Sequence, residues 1–110
     1  MGPPDVFDLP LASGITEVSK SFYYKTDINQ GFVRGDLQKT SGTFQNLEVV
    51  AILPEGFRPK FWGRYVAAFN DGTGYTVGTV TINEQGQILM GGSGVSKNAI
   101  FFDVVFVLAD

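Results

Sequence analysis

The sequence contains no cysteine and no histidine among its 110 residues. Without cysteine there is no disulfide framework, no thiolate zinc site and no thiol nucleophile. Without histidine the chain also lacks the commonest general base and the commonest metal ligand. We therefore expect no cofactor and no metal, and any cation site would have to be built from oxygen ligands.

Charge is scarce and has no basic surplus. Eight Lys and Arg stand against eleven Asp and Glu, for a net charge of −3, and charged residues make up 17% of the chain. A nucleic-acid-binding domain normally carries a basic excess, so a nucleic-acid partner is not expected. A small domain needs most of its charge on the outside. The low charged fraction, below the usual quarter, therefore indicates that part of the outer surface does not face solvent.

No hydrophobic run reaches the length needed to span a membrane. The longest, Ala99–Ala109, is interrupted by Asp103. The first ten residues, MGPPDVFDLP, have neither the basic start nor the apolar core of a secretory signal. We expect no membrane insertion, and we interpret the first residues as a linker end or an added remnant outside the fold.

Alternation of apolar and polar residues dominates the sequence, and helical periodicity is nearly absent. The length fits one domain, and hydrophobic residues at 44% with ten Phe are enough for a single core. The pattern and its turn signals predict an all-β fold, a small antiparallel β-barrel or sandwich of six to seven strands. The expected strands are Ile15–Thr26, Gly31–Lys39, Leu47–Leu53, Lys60–Phe69, Tyr75–Ile82, Gln87–Met90 and Asn98–Leu108.

The last strand is apolar on both faces. One face carries Ile100, Phe102, Val104, Phe106 and Leu108. The other carries Phe101, Val105 and Val107 and is broken only by Asp103. An antiparallel strand with one wet face should alternate, so the second face is expected to be covered. A neighbouring subunit would cover it, since obligate oligomer interfaces resemble a divided core; a central position in a sandwich is the alternative.

Two motifs and their order resemble a known family. They are LPEGFRP (Leu53–Pro59) and the INEQGQI hairpin (Ile82–Ile88), preceded by a polar-aromatic hairpin and followed by the apolar last strand. Together, over roughly residues 15–108, they resemble the C-terminal head domain of bacteriophage receptor-binding and tail-fibre proteins. The resemblance is especially to the head domains of siphophages that infect Gram-positive hosts such as lactococci.

The resemblance implies a homotrimeric head at the tip of a tail fibre or baseplate arm that is not an enzyme. It would attach the virion to the host by binding cell-wall or surface saccharides. It would be made in the host cytoplasm and act outside it. Residues 1–14 would connect to a preceding fibre segment and to other tail or baseplate proteins, and residues 15–110 would be the head. The alternatives are a structural trimerisation domain without its own receptor site and a small glycan-degrading enzyme.

The LPEGFRP segment is interpreted as scaffold. Pro54, Gly56 and Pro59 favour a fixed turn between two strands. Phe57 would then close the barrel end, and Arg58 would pair with a carboxylate or bind carbonyl oxygens. The saccharide-binding surface is therefore expected elsewhere.

Trp62 and Arg64 stand two residues apart on an expected strand and so share a face. An aromatic plate suits the apolar side of a pyranose, and a planar donor suits its hydroxyls. The opposite face of this strand holds Phe61, Tyr65 and Phe69, which are better candidates for the core. Trp62 and Arg64 would then point outward, to contact a sugar, a neighbouring subunit or both.

Thr79 and Thr81 share a face on the strand before the INEQGQI turn. In better-known members of the resembled family a His and an acid at these positions contact ligand, and a Trp follows the turn. Here the residues are threonines and Met90–Gly91, so either the ligand differs or the site has moved. Threonine is also an ordinary residue on a solvated strand face.

Asp103 is the one charge in the last strand, and a carboxylate in an apolar setting needs partners. It could pair with Arg34 or Arg64, or accept a hydrogen bond from a sugar hydroxyl. The sequence thus offers Trp62, Arg64, Thr79, Thr81 and Asp103 as candidate saccharide-binding residues and no catalytic residue. Nothing in the spacing of the acids suggests the carboxylate pair of a glycosidase.

Overall fold

A computed structural model describes residues 5–70, 72–91 and 97–109 and shows an all-β fold. Within these ranges nine strands form one antiparallel sheet and no helix is present. The strands are β1 (Phe7–Asp8), β2 (Ile15–Glu17), β3 (Phe22–Lys25), β4 (Gln30–Lys39), β5 (Val49–Ile52), β6 (Gly63–Asn70), β7 (Tyr75–Ile82), β8 (Gln87–Met90) and β9 (Ala99–Val107). The predicted small antiparallel all-β fold is confirmed as a barrel-like curled sheet, but the predicted six to seven strands are too few. Accordingly, this part of the chain has no helix able to cross a membrane.

The sheet curls so that its two ends approach each other. Its strand order is β1-β3-β4-β9-β6-β7-β8-β5, with β2 alongside β4. Residues 9–12 lie between the ends. On the β3 side, Leu9 N donates a hydrogen bond of 3.1 Å to Ser21 O. On the β5 side, Ile52 N donates a hydrogen bond of 3.1 Å to Pro10 O. Leu9 is buried in the core. These contacts place residues 9–12 in the barrel. That residues 1–14 connect the head to a preceding fibre segment stays a prediction.

The core lies on the inner face of the curled sheet, and β4 and β9 supply much of it. Their ladder runs in unbroken register from Gln30 opposite Val107 to Gln38 opposite Ala99. All five residues predicted for the inner face of the last strand are buried, as are Val33 and Leu37 of β4. Gly35 lies directly under the Phe102 ring, since a Cβ at residue 35 would be 2.4 Å from that ring.

The predicted strand Ile15–Thr26 is in fact two short strands, β2 and β3. A bend separates them at residues 18–21, where Ser21 is fully buried. Ser21 N donates to Glu17 Oε2 at 3.0 Å, and Ser21 Oγ accepts from Asp36 N at 2.9 Å. The bend replaces ladder hydrogen bonds with side-chain ones, which the alternation pattern does not reveal.

The prediction that Phe61 lies in the core is wrong. Phe61 is 69% exposed, and β6 begins only at Gly63, which pairs with Ile82. Lys60 instead lies beside the end of β9, because Lys60 N donates a hydrogen bond to Val107 O at 2.9 Å. The alternation of inward and outward side chains therefore starts after Phe61. It holds for Ala67 and Phe69, which are buried, and in part for Tyr65, which packs partly buried against the core.

The LPEGFRP segment and the INEQGQI hairpin contact each other at one end of the barrel. Arg58 Nε donates to Leu53 O at 2.9 Å, and Leu53 N donates to Gly86 O at 2.8 Å. Phe57 meets the buried Tyr23 ring edge-on with centroids 4.9 Å apart. Gly86 has a φ of +83°, as expected for the INEQGQI turn. These contacts agree with the predicted scaffold role of LPEGFRP.

Candidate functional site

The outer face of the sheet is unusually apolar for a surface. Trp62, Val66 and Val77 on the β6–β7 side are 55%, 72% and 75% exposed. Val105 and Val107 on β9 are 55% and 54% exposed. The second face of the last strand is thus uncovered within one chain. A central position in a sandwich, the alternative that would cover it, does not occur in this fold.

Trp62 and Arg64 form a pair on this outer face. The guanidinium carbon of Arg64 lies 5.4 Å from the Trp62 ring centroid, in cation–π geometry. Both side chains are exposed, as predicted. No carboxylate within the described ranges forms a salt bridge with Arg64. The guanidinium keeps its outward donors available, so the pair presents a flat aromatic surface beside planar hydrogen-bond donors.

Thr79 and Thr81 lie next to this pair on β7. The ladder places Thr81 opposite Arg64 and Thr79 opposite Val66, so both hydroxyls belong to the same outer face. Gly91 follows β8 beside Thr79: Gly91 N donates to Thr79 O at 3.1 Å, and a Cβ there would be 2.6 Å from Thr79 Oγ1. The glycine therefore leaves Thr79 open where a side chain at residue 91 would collide with it.

Asp103 is not part of this group. It forms a salt bridge with Arg34 on the neighbouring strand β4, with 2.8 Å between Arg34 Nε and Asp103 Oδ1. The hydrogen bond and charge of Asp103 raise the pKa of Arg34 above its ordinary value. Both side chains stay about 40% exposed, so the carboxylate also reaches solvent. Of the two arginines that the sequence offers as partners, the structure selects Arg34. It thus brings Trp62, Arg64, Thr79 and Thr81 together and places Asp103 apart.

A row of aromatic rings on β3 and β4 was not predicted as a functional feature. Phe22, Tyr24 and Phe32 stack on the outer face, with Tyr24 and Phe32 centroids 5.0 Å apart and 24° between the rings. Arg34 lies over two rings, 5.9 Å from Phe22 and 5.4 Å from Phe101. The sequence alternation places Phe22 and Tyr24 on the same face of β3. It likewise places Phe32 and Arg34 on the same face of β4. Only the strand pairing shows that these faces adjoin.

No cluster of three or more acidic residues that could hold a metal ion occurs among the residues placed by the structure. The group of Trp62, Arg64, Thr79 and Thr81 consists of one aromatic ring, two hydroxyls and one guanidinium. Such a set can stack on an apolar ring face and form hydrogen bonds with hydroxyl groups.

Comparison with known proteins adds the fold relationship. Neither a family model nor a curated protein sequence matches the chain. The crystal structure of the head domain of lactococcal phage bIL170 does match, with a TM-score of 0.73 and 15% identity over 96% of this chain and 99% of that one. The chain has the fold of a phage receptor-binding head domain. The receptor-binding protein of Listeria phage PSA matches as well, with a TM-score of 0.71 and 16% identity over 98% of this chain and 67% of that one.

The phage head fold extends over almost the whole chain in both comparisons. It confirms the resemblance indicated by LPEGFRP and INEQGQI. Identities of 15% and 16% make this a likeness of fold. The residues that act in this chain have to be inferred from its own surface.

Proposed function

We propose that this chain is the receptor-binding head of a phage tail, and that it attaches the virion to its host by binding cell-surface saccharides. The observation that carries the proposal is the match of nearly the whole chain to two phage receptor-binding proteins. Both neighbours are receptor-binding proteins, which fits a binding module and not an enzyme. The head would sit at the tail tip or baseplate and act outside the host cell, joined to other tail proteins through its N-terminal side.

The proposed saccharide site centres on Trp62 and Arg64, with Thr79 and Thr81 beside them. An exposed tryptophan leaves apolar area in water, and the flat face of a sugar ring is one natural cover for it. Arg64 and the threonine hydroxyls supply donors and acceptors for sugar hydroxyls. Asp103 remains a candidate contact from its separate position, where it would accept a hydrogen bond while bound to Arg34.

The proposed assembly is a homotrimer. Val105 and Val107 are half exposed in one chain, and Val105 lies opposite Phe32 of the aromatic row. The valines and that row form a continuous apolar surface of the kind that obligate interfaces bury. Three weak saccharide sites on one trimer would act together, since linked sites raise the overall affinity without new contacts.

Binding of the purified chain to a bacterial glycan array and to immobilised cell-wall polysaccharides from lactococci and listeriae tests this function. We expect binding to particular glycans, with single-site dissociation constants on the order of 10 µM to 1 mM. A trimer that binds no glycan would indicate the structural trimerisation role instead. Release of reducing sugar from those polysaccharides would indicate an enzyme.

A further inference from the structure

A cleft opens on the outer face near the start of β9, away from Trp62 and Arg64. Its volume is about 290 Å³, at the small end of the range of ligand pockets. Ala68 and Ala99 line it with small side chains, and the aromatic rings of Phe101 and Tyr75 also line it. Tyr75 is 75% exposed, so its ring is available to a ligand. The cleft is large enough for a single small ring and is lined in part by aromatic faces.

The cleft also has four polar side chains, from Asp36, Gln38, Asn70 and Asn98. Asn70 Oδ1 accepts a hydrogen bond at 2.6 Å from the backbone two residues later, which orients the amide and leaves its Nδ2 to donate. Ser19 Oγ donates to Asp36 Oδ2 at 2.5 Å, so the other carboxylate oxygen can accept. The side-chain amides of Gln38 and Asn98 form no hydrogen bond with the residues that the structure describes.

We propose that this cleft binds one uncharged sugar ring and is a second saccharide site of the head. The polar groups around it are three amides and one carboxylate, a set that forms hydrogen bonds with hydroxyl groups as both donor and acceptor. The aromatic rings offer a stacking surface for the apolar side of the sugar. The inference deepens the proposed function, because it rests on the head having a saccharide receptor.

The charge of the cleft selects against anionic sugars. None of its described lining residues is basic, and Asp36 contributes a carboxylate. The nearby guanidinium of Arg34 lies over the Phe101 ring but is bonded to Asp103. Among the described lining residues, a phosphate or uronate group would therefore meet a like charge and no cation. The ligand is predicted to be a neutral hexose or N-acetylhexosamine.

The cleft is separate from the proposed subunit interface. Phe101 and Val105 are four residues apart on β9, about 13 Å along an extended strand, and the Arg34–Asp103 salt bridge lies between them. Val105 and Val107 can therefore be covered by a neighbouring chain while the cleft stays open.

The test is a titration of the ¹⁵N-labelled 110-residue chain, followed by two-dimensional NMR. The neutral probes are glucose, galactose, rhamnose and N-acetylglucosamine, and the anionic probes are glucose 6-phosphate and glucuronic acid. At least one neutral sugar should shift the amide signals of Asn70, Ala99 and Phe101, with half-saturation on the order of millimolar. The anionic sugars should bind at least about tenfold more weakly at these signals.

Variants assign the effect to the cleft. Tyr75→Ala should weaken the shifts by about tenfold or more, whereas Tyr75→Phe, which keeps the ring, should stay within about threefold of the parent. Val77→Ala is the matched control, equally exposed on the same strand face but outside the cleft. Trp62→Ala should leave these shifts unchanged, which separates this site from the one in the proposed function.

The inference is overturned if no neutral sugar shifts the three signals at 100 mM, if Tyr75→Ala binds as the parent does, or if the anionic sugars bind equally well.

Discussion

Arg34 and Asp103 face each other across β4 and β9 and form a two-point salt bridge, with 2.8 Å from Nε to Oδ1 and 3.4 Å from the second nitrogen to Oδ2. They lie in the middle of the ladder that joins these two strands. Arg34 also lies over the rings of Phe22 and Phe101. The guanidinium thus connects three strands, whereas the carboxylate has one partner.

This asymmetry predicts unequal effects of truncation. Asp103→Ala should lower the free energy of unfolding by about 1 kcal/mol or less, because ion pairs with this exposure contribute little. Arg34→Ala should cost more than Asp103→Ala, since it also removes two cation–π contacts. Urea unfolding of both variants measures the difference. An equal or larger loss for Asp103→Ala would contradict this account.

Gly86 should tolerate no side chain. Its φ is +83°, and a Cβ would lie 2.4 Å from Leu53 O, where the two resemblance motifs meet. Gly86→Ala should cost about 2–5 kcal/mol, from backbone strain and overlap together. The matched control is Gly56→Ala, which has a similar φ of +94° but open space around its Cβ, and which should cost only about 1–2 kcal/mol. Equal melting temperatures for the two variants would show that the contact with Leu53 is unimportant.

Stability should fall in acid partly through Glu48. Burial alone would raise the pKa of Glu48, but hydrogen bonds from Lys39 Nζ and Gln45 N hold it below its ordinary value of 4.5. A lowered folded-state pKa stabilises the fold above the unfolded-state pKa, and that contribution is lost as the pH falls through the folded-state value.

The Glu48→Gln variant isolates this contribution. The parent should be more stable than the variant at pH 7, and the difference should shrink progressively below about pH 4.5. Melting temperatures of both proteins between pH 7 and pH 3 supply the comparison. A difference that stays constant over this range would show that the Lys39–Glu48 pair does not carry the effect.

Val105→Asp should dissociate the proposed trimer. Three carboxylates would be brought close together at a dry interface, at a cost of several kcal/mol. Ile28→Asp is the control, since Ile28 is 69% exposed but lies in the turn between β3 and β4. Light scattering should give the mass of three chains for the parent and for Ile28→Asp, and of one folded chain for Val105→Asp. A folded monomer for the parent would contradict the proposed trimer.

Much of the fold follows from alternation in the sequence. The inner residues of β9 and the outward position of Arg64 were predictable because a strand places successive side chains on opposite faces. The error at Phe61 arose because the predicted strand began at Lys60, whereas residues 60–62 precede β6 and Lys60 is hydrogen-bonded to the end of β9. Local periodicity gives the face of a residue but not where the strand starts.

The candidate sites were harder to predict because they depend on strand partners. Arg34 and Asp103 are 69 residues apart, and the sequence left Arg64 as an equal partner for Asp103. The cleft takes side chains from β4, β6, β7 and β9, and no local motif marks it. Only the register of these strands brings Asp36 and Tyr75 to one cleft.

The central claim is that the head binds a host saccharide through Trp62 and Arg64. The most direct measurement is calorimetric binding of the parent, Trp62→Ala and Arg64→Ala to the best-bound cell-wall polysaccharide of the panel. Phe61→Ala is the control, since Phe61 is adjacent to Trp62 and is 69% exposed against 55% for Trp62. We predict that both site variants stay folded and trimeric but bind at least about tenfold more weakly, while Phe61→Ala binds as the parent does. Parent-like affinity in both site variants would contradict the account.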